Sequence, residues 1–370
     1  MRALPVVVAL STLAFGLAPA RGNAPPPRAA AAPTPASPSR AAPPAKRASS
    51  LRPVPPGQKA KSSHAPFTDG ECSICHQRND PKDPGPTVKS GNALCLECHD
   101  DLSAAMKSRK VKHKAAVEAC VNCHNPHDSR EPALLLEEPM ALCLGCHEPI
   151  KKLVVGAPVK HEAMTQGKRC SGCHNPHASD VESLLRRLAF DLCVDCHGSD
   201  RVRDDKGRPL QNIRTLLSRN PVHHGPIGNK DCTACHQPHG GGNFRLLINT
   251  YPPDFYASYA KSVYALCFEC HNDQLAAVER STTVTKFRDG DRNLHYLHVN
   301  KSDRGRTCRA CHEAHASKQP FQIRDAVPYG ARGWMLRVVY KQTASGGSCD
   351  KTCHAAKAYD NSERKVAKKP

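Results

Sequence analysis

Residues 113–147 read HKAAVEACVNCHNPHDSREPALLLEEPMALCLGCH, and the rest of the chain repeats the order of these residues. The stretch begins with a histidine, continues with Cys-x-x-Cys-His-x-Pro-His and a leucine pair, and ends with a second Cys-x-x-Cys-His. Residues 161–197 have the same order, and residues 232–271 follow it closely. The first cysteines of alternate motifs fall at positions 72, 120, 170, 232 and 308, which predicts five doubled units of growing length.

All 20 cysteines belong to such pairs, and a histidine follows the second cysteine of every pair. Two thiols one helical turn apart can add to the two vinyl groups of one haem, and the adjacent histidine can then reach the iron. The sequence therefore predicts ten sites for covalently bound haem c. The predicted attachment cysteines are Cys72 and Cys75, Cys95 and Cys98, Cys120 and Cys123, Cys143 and Cys146, Cys170 and Cys173, Cys193 and Cys196, Cys232 and Cys235, Cys267 and Cys270, Cys308 and Cys311, and Cys349 and Cys353. The predicted proximal iron ligands are His76, His99, His124, His147, His174, His197, His236, His271, His312 and His354.

Zinc is an alternative, because the first three units read Cys-x2-Cys-x19-Cys-x2-Cys, within the spacing range of zinc ribbons. Zinc does not require a histidine after the second cysteine, so the repeated histidine favours haem over zinc and over disulfides. The tenth pair has one extra residue between its cysteines. A Cys349–Cys353 disulfide is the alternative there, and the adjacent His354 favours haem.

Eleven further histidines are candidates for the second axial position on ten irons. They are His64, His113, His127, His161, His177, His223, His224, His239, His295, His298 and His315. We assign the histidine upstream of each unit to the first haem of that unit, and the Pro-His or Ala-His histidine to the second. This assignment leaves the haem at Cys95, Cys98 and His99 without a local partner. A spare histidine among His223, His224, His295 and His298 could fill the gap, as could Met106, Met140 or a second subunit, or the site could be open.

The first 20 residues are typical of a secretory signal peptide: Met1-Arg2 precedes an apolar run from Leu4 to Leu17 and then Ala18-Pro19-Ala20. The apolar run is shorter than the about 20 residues that span a bilayer, and no later stretch approaches that length. No cysteine near the cleavage signal could be lipidated. We expect an exported protein, in the periplasm or at the outer surface or extracellular.

Composition divides the remaining chain. Residues 21–62 are rich in proline, alanine and basic side chains, which predicts a disordered linker, either a spacer or an arm that contacts an anionic envelope surface. Residues 63–200 are expected to form a compact six-haem region, residues 201–354 a four-haem region with inserts, and residues 355–370 a basic disordered tail.

The net charge of +19 does not indicate a nucleic-acid partner. Residues 1–62 contribute +9 of it and residues 355–370 contribute +3. The propionates of ten haems would offset the rest. Aromatic residues, which would stack on bases, are only 5% of the chain.

The core should consist largely of haem in the first three units, where Phe67 and Phe190 are the only aromatic residues between His64 and Gly198. The inserts of units four and five contain more aromatic residues and predict ordinary protein packing. We expect a mostly irregular fold with short α-helices, for example over 183–196, and a small β element near 335–340.

These motifs resemble those of the doubled-CxxCH multihaem c-type cytochromes, in the broad cytochrome c3-like group, over about residues 64–354. The resemblance implies periplasmic or extracellular electron transfer through closely stacked haems, each with two histidine ligands. The tenth motif departs from the pattern by its extra residue. The first unit departs because His76-Gln-Arg-Asn lacks the Pro-His element.

The favoured hypothesis is therefore an electron conduit that exchanges electrons with redox partner proteins or extracellular acceptors. No catalytic acid, base or nucleophile is predicted, because the cofactors supply the chemistry. The alternative is a reductase of a small nitrogen or sulfur oxyanion at one open haem, for which His99 marks the candidate; no Cys-x-x-Cys-Lys variant is present. A filament or other oligomer, with a histidine donated between subunits, is a further hypothesis.

Overall fold

A computed structural model describes residues 51–204, 207–330, 333–350 and 353–362. The predicted signal peptide, most of the predicted linker and the end of the basic tail lie outside the described residues. The described residues belong to one compact unit. None of the helices in the described part of the chain is long and apolar enough to cross a lipid bilayer.

The fold is mostly irregular, as predicted, and its helices are at most nine residues long. They are α1 (Ala65–Thr68), α2 (Asn92–Cys95), α3 (Asp100–Ser108), α4 (Lys114–Glu118), α5 (Pro139–Leu144), α6 (Glu148–Gly156), α7 (Cys170–Cys173), α8 (Ala189–His197), α9 (Ile213–Arg219), α10 (Gly225–Gly228), α11 (Ala265–Phe268), α12 (Gln274–Ala277) and α13 (Leu294–Val299). The helix expected over 183–196 starts only at Ala189, because Glu182–Leu184 forms a separate 3₁₀ turn.

The strands are short and form small antiparallel pairs. They are β1 (Ser62–Ser63), β2 (Val111–Lys112), β3 (Asp128–Ser129), β4 (Ala178–Ser179), β5 (Val222–His223), β6 (Tyr256–Ala257), β7 (Arg288–Asp289), β8 (Arg292–Asn293), β9 (Gly305–Arg306), β10 (Ala316–Ser317), β11 (Ala326–Tyr329), β12 (Trp334–Arg337), β13 (Tyr340–Thr343), β14 (Gly346–Cys349) and β15 (Lys357–Asp360). The predicted β element is present near the C-terminus, where β11 pairs with β12 and β13–β14–β15 form a three-stranded sheet.

Three of these pairs join consecutive units. Strand β1 pairs with β3, β2 with β4 and β5 with β10, so the segment before one unit lies against the segment after the first motif of the next. Each ladder continues to a pair of histidines: the amide nitrogen of His64, for example, donates to the carbonyl oxygen of His127 at 2.8 Å. A single bridge between Val159 and Gly241 makes the equivalent connection from unit three to unit four. The units are therefore interlocked along the chain.

Two small apolar clusters are buried in the described residues. One contains Tyr251, Tyr264, Ala276 and Val299, which confirms the expected protein packing in the later inserts. The other contains Leu144, Val154 and Met164, with Met140 packed against it. Met140 therefore takes part in apolar packing instead of completing a haem site near His99.

The last residues of the predicted linker have defined contacts. The carbonyl oxygen of Leu51 accepts a hydrogen bond from the Nδ1 atom of His127 at 2.9 Å, and the amide nitrogen of Val54 donates to Asp128 Oδ1 at 2.7 Å. Ser62 and Ser63 form strand β1. The described end of the predicted linker, residues 51–62, therefore contacts unit two.

Candidate haem-binding site

Every one of the ten motif histidines faces one other histidine ring. The ring centres of these pairs are 5.9–6.5 Å apart, and in nine pairs the ring planes lie within 21° of parallel. The pairs are His64–His99, His127–His76, His113–His147, His177–His124, His161–His197, His239–His174, His224–His271, His315–His236, His295–His312 and His298–His354.

The separation of the rings fits one metal ion between two imidazoles. A metal–nitrogen bond of about 2.0 Å on each side, and roughly 1.1 Å from each nitrogen to its ring centre, give about 6.2 Å. Parallel rings in direct contact would have carbon atoms about 3.5–4.0 Å apart. The ten pairs are farther apart than rings in contact and have the spacing that two ligands of one iron would need.

The hydrogen bonds of the rings leave the coordinating nitrogen free. In the first motif of each unit, the Nδ1 atom lies 2.7–3.0 Å from the carbonyl oxygen of the residue nine positions later. These carbonyl groups belong to Gly85, Ala133, Ser183, Arg245 and Phe321. An Nδ1–H group that donates to a carbonyl fixes the ring orientation and leaves Nε2 as the metal ligand.

The facing histidines have similar support. The Nδ1 atoms of His113 and His161 lie 2.9 Å and 2.7 Å from the carbonyl oxygens of Pro176 and Pro238. His223 differs, because its Nε2 atom lies 3.2 Å from the carbonyl oxygen of Leu217. His223 is also absent from the ten ring pairs, so it is the surplus candidate among the eleven.

The carbonyl groups that support the first motifs lie in an unusual backbone conformation. Ala133, Ser183, Arg245 and Phe321 have φ between 52° and 57°, in the left-handed region, and the residue after each is left-handed as well. The equivalent residue of unit one is Gly85, with φ of 73°. Non-glycine residues reach this region only at a cost, and such strain is concentrated at functional sites. Sequence reasoning missed these residues, since only the glycine in unit one signals the conformation.

The turns also hold the chain against the motif. In unit two the amide nitrogen of Leu136 donates to the carbonyl oxygen of Cys123 at 2.9 Å, and that of Asn125 donates to Leu134 at 2.8 Å. The same two bonds recur in the other four units. In units two to four, the leucine pair thus marks the turn whose backbone hydrogen bonds hold the chain on both sides of the motif histidine.

A pair of opposite substitutions tests the strain. Ser183→Gly should raise the thermal stability, because it removes a left-handed penalty of about 1–2 kcal/mol at a glycine entropy cost of about 0.5–1 kcal/mol. Gly85→Ala should lower the stability, since its φ is positive and an added Cβ would also lie 3.2 Å from the Arg78 side chain. Thermal denaturation of both variants checks this; a lower midpoint for Ser183→Gly would contradict it.

The ring geometry contradicts the assignment of facing histidines made from the sequence. In the first four units the upstream histidine faces the second motif of its unit, as His64 faces His99, instead of the first. The Pro-His or Ala-His histidine faces the first motif of the preceding unit, as His127 faces His76. The cause is the strand pairing between units, which brings together residues far apart in sequence.

In this pairing His99 has a facing histidine, and the exception to the repeated pattern lies in unit five. The two motif histidines of unit five instead face His295 and His298, which lie one helical turn apart on α13. Phe287 packs against both of these rings, a contact that sequence reasoning missed. Helix α13 thus supplies both facing histidines of unit five.

Burial keeps several of these rings in the neutral form that binds metals. Burial, followed by the charge of His312, lowers the pKa of His295 to about 4. Burial is also the main cause of a lowered pKa at His147, His177, His197, His224, His236, His239, His298 and His312. These imidazoles need not lose a proton at neutral pH before they bind a metal.

Cysteines of consecutive units lie close together in space. The 20 cysteines all lie in the described part of the chain and form no disulfide there. Between units, a thiol–thiol hydrogen bond with Cys170 raises the pKa of Cys143. Cys95 contacts Cys120, Cys193 contacts Cys232 and Cys267 contacts Cys308 in the same way. Within the described residues, no group of three or more Cys, His, Asp or Glu side chains is placed to hold a metal ion.

The tenth motif differs from the others. Cys349 ends strand β14, and the planes of His298 and His354 are inclined by 39°, at 6.5 Å. The Nδ1 atom of His354 lies 2.7 Å from the carbonyl oxygen of the next residue, Ala355. The extra residue in the motif is thus accompanied by a different local arrangement, and the facing histidine is retained.

The family described as Doubled CXXCH motif matches four segments of the chain, residues 64–104, 113–152, 161–202 and 224–276. The resemblance to doubled-CxxCH multihaem c-type cytochromes is confirmed by these four matches. The matched segments coincide with the first four doubled units. The comparison with curated protein sequences found no match.

Proposed function

We propose that this chain is a ten-haem c-type cytochrome that conducts electrons outside the cytoplasm. The single observation that supports this most strongly is the set of ten ring pairs at 5.9–6.5 Å, one for each Cys-x-x-Cys-His or Cys-x-x-x-Cys-His motif. When bound, each haem would supply a one-electron iron couple. The 20 motif cysteines would attach the haems, and the ten ring pairs would provide the axial ligands.

The protein would supply both ligands of each iron and hold their rings in place. Two histidines at each site would fill both ligand positions of a bound haem iron, and the carbonyl hydrogen bonds fix the orientation of the first-motif rings. The close approach of cysteines from consecutive units supports neighbouring haem sites where one unit meets the next. A conduit requires this arrangement, because each site must lie next to the one that receives its electron.

The reductase alternative has no support at the one haem site that the sequence indicated as open. That hypothesis needed an open position at the haem held by His99, and the ring of His64 lies 6.1 Å from that of His99. The export signal in residues 1–20 and the typical export of c-type cytochromes support an extracytoplasmic location. We propose redox proteins or extracellular electron acceptors as partners, and contact of the basic linker with an anionic envelope surface.

Carbon monoxide binding and electron paramagnetic resonance test the proposal on protein whose intact mass gives its haem number. We expect ten haems, only low-spin ferric signals in the oxidised protein, and no carbon monoxide adduct after reduction, because every iron has two histidine ligands. A carbon monoxide adduct together with a high-spin ferric signal would contradict a closed conduit and favour the reductase. A mass with nine haems would contradict attachment at Cys349 and Cys353.

A further inference from the structure

The residue directly after the first-motif histidine differs in chemistry between units. Units two, three and four have the amides Asn125, Asn175 and Gln237 there, whereas unit five has the carboxylic acid Glu313. Each amide oxygen accepts a hydrogen bond from the backbone N–H group of the histidine two residues later, at 3.0–3.4 Å. Units two to four can therefore be compared with unit five to test the effect of a charge at this position.

Glu313 lies against the Nδ1 atom of His315. One carboxylate oxygen is 3.6 Å from this nitrogen, an ion-pair distance longer than an ordinary hydrogen bond. The Nδ1 atom is buried and has no hydrogen-bond partner. The side chain of Glu313 is 13% exposed and forms an ion pair with Arg324, which in turn donates to the carbonyl oxygen of Arg309 at 2.9 Å. The carboxylate is thus held beside a ring nitrogen that needs an acceptor.

Glu313 is paired with a cation in its largely buried position. The guanidinium group of Arg324 lies within ion-pair distance of its carboxylate and favours the charged form. A carboxylate that accepts the Nδ1–H proton of a metal-bound histidine makes the other nitrogen a more basic ligand. A more basic ligand stabilises ferric iron relative to ferrous iron and so lowers the reduction potential.

We propose that Glu313 is a positioning residue that acts through His315 to lower the reduction potential of the haem held by Cys232, Cys235 and His236. This inference rests on the proposed function, because it requires haem at that site. The facing histidines of the equivalent haems in units one to three each lie two residues after a neutral amide side chain. The haem of unit four should therefore have the lowest potential of these four.

Glu313→Gln places at this position the side chain that unit four has in Gln237. In a potentiometric titration of the ten-haem protein, a one-electron component should move to higher potential. A tenfold weaker preference for ferric iron would appear as about 59 mV for a one-electron couple. The reciprocal variant Gln237→Glu should move a different component, from the haem that His174 and His239 face, to lower potential.

Asp231→Asn is the matched control for charge alone. Asp231 precedes Cys232, its charge acts on that thiol, and its contacts are with Thr233 and Ala234 instead of an axial histidine. A smaller shift in Asp231→Asn than in Glu313→Gln supports the proposal. Equal shifts in the two variants, or no shift in Glu313→Gln, would overturn it.

Haem content separates this inference from the proposed function. If the intact mass shows that the wild-type protein lacks a haem at Cys232 and Cys235, the proposed function fails at this site. If all haems are present and low-spin but the titration curves coincide, only the role of Glu313 fails. If the Glu313→Gln variant loses the haem at Cys232 and Cys235, the Gln237→Glu variant still tests the role of a carboxylate at this position. An unchanged titration curve for Gln237→Glu would contradict that role.

Discussion

Replacement of His127 by alanine should open an iron that belongs to a different unit from the substitution. His127 lies in unit two, but its ring faces His76 of unit one at 6.2 Å. Loss of this ring leaves the haem at Cys72 and Cys75 with one histidine ligand. We expect one high-spin ferric signal and one carbon monoxide adduct per protein molecule, with a mass that still includes every haem.

His223→Ala is the control for this experiment. His223 is outside the ten ring pairs, and its Nε2 atom lies 3.2 Å from the carbonyl oxygen of Leu217. We expect no high-spin signal and no carbon monoxide adduct in this variant. A His127→Ala protein that remains fully low-spin would contradict the pairing between units, and an open haem in His223→Ala would show that the surplus histidine is a ligand.

The chain produced without haem should not maintain this fold. Only 14 apolar side chains are buried among the described residues, and five of them are alanines. Ordering the backbone costs about 1–2 kcal/mol per residue, whereas burial of a large apolar side chain contributes about 1.5–3 kcal/mol. So few buried groups cannot offset the entropy of so many ordered residues. In the complete protein the haems would supply the missing apolar surface.

Hydrogen exchange of residues 21–370, produced in the cytoplasm where haem is not attached, measures this effect against the haem-loaded protein. We expect near-complete loss of protection in units one to three. The strongest residual protection should be at the Tyr251 and Tyr264 cluster, which packs without haem. A cooperative thermal transition of the haem-free chain, with protection throughout units one to three, would show that the protein core is sufficient.

The fold class and the chemistry of the candidate site could be predicted from local sequence. The motif spacing, the following histidine and the scarcity of aromatic residues indicated haem and an irregular fold, because each of these signals lies within a few neighbouring residues. The backbone support of the motif histidines could not be predicted. It depends on left-handed φ values at Ala133, Ser183, Arg245 and Phe321, residue types that give no sign of that conformation.

The sequence by itself determined which side chains are available: ten cysteine pairs with their histidines, and eleven further histidines for ten positions. Only the tertiary structure decided which rings face one another. That choice depends on strand pairs such as β1 with β3 and β2 with β4, whose partners are separated by more than 60 residues. Nearness in sequence assigned His127 to its own unit. The ladder between units places it opposite His76, because hydrogen bonding between distant backbone segments determines where the ring lies.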